Sequence, residues 1–101
     1  MSKRDIISAQ RALRGLANFG NSLTWDDYEK LDKRLADARS ELTAKARKME
    51  ANEEKVFLTM EFTDEELQMM KLGLEELGKK GLLDPYDDYF LGRISELLGP
   101  D

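Results

Sequence analysis

Along most of the chain, apolar residues recur at three- and four-residue steps, the spacing that gathers side chains on one face of a helix. Ile6, Ala9, Leu13, Leu16 and Ala17 share such a face, which predicts a first helix over about 3–19. Lys3, Arg4, Arg11 and Arg14 lie mostly off it. Gly15 within the helix costs roughly 1 kcal/mol against alanine and points to a close helix contact. Gly20 and Asn21 both tolerate positive φ and mark the stop. A second helix follows over about 24–50. Thr24 stands at its cap with Asp27 three residues on, and Leu23 and Tyr28 occupy the two staple positions. Tyr28, Leu31, Leu35, Ala38, Leu42 and Met49 then form a narrow seam flanked by charges, interrupted at Lys45 and Ala46. A helix of that length runs roughly 40 Å, longer than a small core covers, so part of its seam is expected to meet another helix. Residues 51–55 read as a linker.

At Val56 the period changes to two. Val56, Leu58, Met60 and Phe62 alternate with Phe57, Thr59 and Glu61, which predicts a strand over 56–62 with the first set facing the core. A lone strand leaves its backbone unpaired, so the expected partner is a second copy. The predicted homodimer interface is Val56, Phe57, Leu58, Thr59 and Met60. A third helix begins at the capping box Thr63-Asp64-Glu65-Glu66, with Phe62 and Leu67 as its staple. Leu67, Met70, Leu74 and Leu77 form its buried stripe, Met69 lies beside it, and Gly78 and Gly81 end it. Asp84 and Pro85 open a fourth helix as cap and first helical residue. Tyr86, Phe90, Ile94, Leu97 and Leu98 line it, and Gly99-Pro100 stops it. The short connection predicts that these two helices pack as an antiparallel hairpin. The expected fold is therefore mainly α and one domain over 1–101. Helices 1 and 2 occupy 1–50; the strand and helical hairpin occupy 56–98.

Composition narrows the chemistry. A chain of 101 residues buries a modest core, and dimerisation would add to it. There is no cysteine and no histidine. That excludes disulfides, thiol nucleophiles and thiolate metal sites, and removes the commonest general base. No twelve-residue calcium-loop spacing occurs. With no apolar run near 18 residues and no signal peptide, a cytoplasmic location without a membrane partner is expected. Charge is uneven. Residues 1–22 carry four basic and one acidic group, net +3, while residues 56–101 carry four basic and eleven acidic, net −7.

The carboxylate groups Asp26-Asp27 and Asp84, Asp87, Asp88 fall in first turns, where negative charge stabilises a helix N-terminus. They are read as caps rather than as a metal or acid–base pair. Tyr28, Tyr86 and Phe90 are core by spacing. Trp25 and Tyr89 lie off the apolar stripes and are candidate partner anchors. The acidic half adds Glu75, Glu76, Asp87 and Asp88 as candidate partner contacts that could mimic phosphate in a basic groove. Lys3, Arg4, Arg11 and Arg14 are candidate contacts for an anion or nucleic acid. A pI near 4.8 argues against general nucleic-acid affinity.

The run from Val56 to Leu67, followed by a helical hairpin, resembles small accessory proteins encoded by phages and prophages. The resemblance covers about residues 56–98 and carries no site residues. It implies an anti-defence context, such as an anti-CRISPR inhibitor acting in the host cytoplasm. The expected function is thus a non-enzymatic protein–protein interaction module, an inhibitor binding a host defence or regulatory protein, with no cofactor. Two alternatives remain: a dimeric nucleic-acid-binding regulator using the basic first helix, and an oligomeric binder of a small anionic nucleotide.

Overall fold

A computed structural model describes residues 1–19 and 25–99. The four helices are α1 (Lys3–Phe19), α2 (Trp25–Met49), α3 (Asp64–Lys79) and α4 (Pro85–Leu98), with a 3-10 turn at Glu53–Lys55 between α2 and α3. The turn at Gly20-Asn21, the cap at Thr24, the staple residue Leu23 and the stop at Pro100 lie outside the described residues.

Local chemistry sets the visible helix ends. Thr63 caps α3: its hydroxyl accepts from the Glu66 N–H at 3.1 Å, and the Glu66 carboxylate accepts from the Thr63 N–H at 3.0 Å. At the other end Leu82 N–H reaches Leu77 O at 2.9 Å and Gly81 N–H reaches Gly78 O at 3.1 Å. This is the Schellman pattern, and Gly81 supplies its left-handed residue with φ 71°. α2 ends in the same way, with Ala51 N–H on Ala46 O at 2.9 Å, but the left-handed position is Glu50, φ 51°. Asp84 and Asp87 form a second capping box at the start of α4.

The predicted strand is a correction. Residues 56–62 are extended but form no ladder. The alternation itself is present: Val56 is buried and Leu58, Met60 and Phe62 are half-buried, whereas Phe57, Thr59 and Glu61 are exposed. What is missing is a second strand. Within the chain the segment finds one short partner, because Leu58 N–H donates to Met1 O at 3.0 Å and the Met1 amino group donates to Leu58 O. Its inward side chains pack on helices, so apolar alternation is satisfied without a sheet. Val56, Leu58 and Met60, expected at a dimer interface, belong to or pack against the chain's own core.

The expectation that part of the α2 seam meets another helix is met inside the chain, by α1. Leu31, Leu35, Ala38, Leu42 and Ala46 are all buried within this one chain. The helix spans roughly 37 Å at 1.5 Å per residue, most of the 42 Å long dimension of the molecule. α1 packs along it, and the 3-10 turn covers its far end. Only Met49, 67% exposed, is left uncovered at the C-terminal end of the seam.

α1 is the central helix, packing against α2, α3 and α4. Ile6, Ala9, Ala12, Leu13 and Leu16 are buried, and so are Ser2, Asp5 and Ser8 on the side toward α4. Its crossing with α3 is very close. A Cβ at Gly73 would stand 1.8 Å from Ala12 O, and one at Gly15 would stand 2.9 Å from Gly73 O. The two glycines let one backbone touch the other, which is the contact that Gly15 predicts. The N-terminal pair and the C-terminal hairpin therefore share one core.

Candidate functional site

α4 carries the most distinctive surface. Phe90 and Ile94 point into the core, while Tyr89, Arg93 and Leu97 follow one another at four-residue steps along an outer edge. Tyr89 is 59% exposed and Leu97 66% exposed. The Tyr89 ring has two close neighbours: the Tyr86 ring lies 5.7 Å away, tilted by 55°, and the Arg93 guanidinium lies 5.9 Å from the Tyr89 centroid.

Beneath this edge, α4 is bonded to α1 by two buried carboxylates. Asp5 Oδ1 accepts from the Tyr86 hydroxyl at 2.6 Å, and Oδ2 accepts from Ser2 N–H at 3.0 Å and Arg93 Nη1 at 3.1 Å. Burial pushes the Asp5 carboxyl up, but the Tyr86, Ser2 and Arg93 donors outweigh it and hold it below its ordinary value. Burial, then the bond to Asp5, raises the Tyr86 hydroxyl. One helical turn away, Asp87 accepts from Ser8 Oγ at 2.8 Å and pairs with Arg11 at 2.8 Å. Arg11 also pairs with Asp84 at 2.5 Å and donates to Leu82 O at 3.0 Å. The Asp87 N–H bond and the Arg11 charge keep the Asp84 carboxyl low. Among the described residues no buried side-chain nitrogen or oxygen lacks a partner. A network so fully satisfied fixes the register of α4 on α1.

Beside Arg93 the surface opens into a groove of about 300 Å³ between residues 58–62, α3 and α4. Its floor is the core itself: Leu67, Met70, Phe90 and Ile94. Met60 and Leu97 form its walls, Arg93 is the one charged side chain in its lining, and Met1, whose amino group donates to Leu58 O, lines it as well.

The sequence-level site residues do not converge. Asp87 is 1% exposed and held by Arg11 and Ser8, so it is a structural carboxylate, which corrects its reading as a partner contact. Glu76 is half-buried and pairs with Lys79 on its own helix. Glu75 and Asp88 are exposed. Trp25 is 60% exposed, edge-on to Tyr28 at 5.5 Å, and sits at the start of α2. Of the candidate anion contacts, Lys3 pairs with Glu53, Arg4 with Glu54 at 3.6 Å, and Arg11 with Asp84 and Asp87. Arg4 also lies over the Tyr86 ring at 4.9 Å. Only Arg14 has no salt bridge among the described residues. The basic helix thus spends most of its charge inside the molecule.

Sequence reasoning missed Asp5, Ser8, Arg93 and Arg34. Arg34 pairs with Glu66 at 2.6 Å, donates to Glu61 O at 2.6 Å and lies over the Phe62 ring at 5.3 Å, tying α2 to the start of α3. The Tyr89–Arg93 spacing of four, on a helix with one cation, was the signal available for the α4 edge.

Comparison with protein-family models, curated proteins and solved structures gives no match. Among the described residues no helix is long and apolar enough to cross a membrane, and no group of three or more carboxylates is placed to hold a metal ion.

Proposed function

We propose that the chain is a non-enzymatic protein–protein interaction module, acting as a small phage-type inhibitor of a host defence or regulatory protein. The observation that carries this reading is Tyr89. A tyrosine 59% in water, yet braced by Tyr86 and Arg93, is a preorganised anchor of the type that dominates protein interfaces. Exposed Asp88 beside it adds an acidic contact, so the fitting partner surface is an apolar cleft with a basic rim. The test is a pull-down from bacterial lysate after nuclease treatment, run in parallel with Tyr89→Ala and Trp25→Ala. One protein retained by the parent chain and lost with Tyr89→Ala supports the reading. Retention that is the same for all three chains, or of nothing, sinks it.

A second reading, homodimerisation, rests on the 57–61 backbone. Among the described residues the N–H groups of Phe57, Thr59, Met60 and Glu61 make no hydrogen bond. Pairing this segment with its copy would satisfy those of Phe57, Thr59 and Glu61, which share the edge away from Met1. Light scattering at micromolar concentration decides: a monomer mass excludes the dimer, and a dimer mass abolished by Thr59→Pro places it on this segment.

A further inference from the structure

We infer that the groove beside α4 is a binding site for an aliphatic carboxylate, with the tail against Met60, Phe62 and Leu97 and the head group on Arg93. The inference goes beyond the interaction surface at Tyr89. The groove opens to solvent at Leu97, 66% exposed, and at the half-buried Leu58, Met60 and Phe62, so a tail entering it meets these apolar side chains, backed by the buried Met70 and Ile94. Its volume of about 300 Å³ lies at the lower end of small-molecule sites. If a methylene takes about the 30 Å³ of a liquid water, that space holds roughly ten carbons. Met60 and Met70 have unbranched, polarizable side chains that can adjust to a flexible chain.

Arg93 selects the head group. Its Nη1 bonds Asp5, while among the described residues Nε and Nη2 make no hydrogen bond. Asp5 already accepts from Ser2, Tyr86 and Arg93. The guanidinium therefore keeps a fork of unused donors at the mouth of an apolar groove, a geometry suited to a carboxylate. The chain as a whole carries net charge −5, which repels anions. Preference for an anion over a cation with the same tail would thus arise locally, against the global field.

The experiment titrates the full chain with decanoate and, separately, with decyltrimethylammonium, both below micelle-forming concentration. Methyl NMR of Met60, Met70 and Ile94 and the Tm are followed. The expected result is saturable shifts of these methyls and a rise in Tm with decanoate, with the cation binding about tenfold more weakly. Arg93→Gln should remove most of that preference. Leu97→Glu, at an exposed rim position that does not threaten folding, should weaken decanoate by about tenfold through like charge. Leu82→Glu, on the turn outside the groove, should leave binding unchanged. Shifts that fail to saturate, equal binding of the two amphiphiles, or a preference that survives both Arg93→Gln and Leu97→Glu overturn the proposal.

Discussion

At the scale of single residues, glycine positions that look alike in sequence differ sharply in consequence. Gly73 and Gly92 both lie inside helices. A methyl group at Gly73 would overlap the Ala12 carbonyl at 1.8 Å, whereas one at Gly92 meets nothing within 4 Å. Gly73→Ala should therefore destabilise by about 3 kcal/mol or more, since backbone against backbone cannot yield. Gly92→Ala should stabilise by roughly 0.5–1 kcal/mol, the ordinary helix-propensity gain. Denaturant melts of the two variants against the parent check both signs. Glu50 is the converse case, a side chain in the left-handed region at φ 51°. Glu50→Gly should stabilise by about 0.5–1 kcal/mol through relief of that strain. None of these assignments can be made from residue type alone. Gly15 signalled a close approach, but its partner is another backbone sixty positions away, visible only after α1 and α3 are packed.

At the scale of elements, caps and periodicity are local and were readable. Thr63 and Glu66 form the reciprocal bonds that their spacing predicts, and Asp84 caps α4 as expected, with Asp87 completing a second box. Thr63→Ala should cost about 1 kcal/mol, measured as a shift in urea midpoint without change in slope. The effect should be partly shared with Arg34, because Arg34 holds the same Glu66 carboxylate. The extended segment shows where local reading stops. Its alternation is correct, and its inward residues are the expected ones. Whether such a segment becomes a strand depends on a neighbouring backbone, and here the neighbour is Met1 alone. Likewise the length of α2 predicts a helix along its seam but not which one. α1 and the 3-10 turn cover it, which no periodicity within α2 could reveal.

At the scale of the whole molecule, charge is organised by pairing rather than by gradient. The basic N-terminal helix and the acidic C-terminal half read as separate surfaces in sequence. In the fold Arg11 pairs with Asp84 and Asp87 across the α1–α4 contact, Arg93 pairs with Asp5 in the opposite sense, and Lys3 and Arg4 pair with Glu53 and Glu54. The pH dependence follows. The Asp5 and Asp84 carboxyls are lowered in the folded state. Their contribution is complete above the ordinary carboxylate range and is lost as pH falls through the lowered values. Tm should hold steady from about pH 7 to 5 and fall below about pH 4. Asp5→Asn should lower the neutral-pH Tm and flatten the acid limb. An acid limb unchanged by Asp5→Asn would place the loss elsewhere. At the alkaline end the raised Tyr86 hydroxyl acts in the opposite sense, its contribution present below the ordinary tyrosine value and lost as pH rises.

The sequence by itself determined the four helices, the caps within the described residues, the stripes that became the core and the facing of residues 56–62. Each depends on interactions within a few residues, where spacing is geometry. Only the tertiary structure decided that α1 is central, that Asp5 and Asp87 are buried, that the lone extended segment has no sheet and that Arg93 stands at the mouth of an apolar groove. Those outcomes depend on which faces meet across long stretches of chain. A small polar residue such as Asp5 or Ser8 reads as solvated until a donor from another helix arrives to satisfy it.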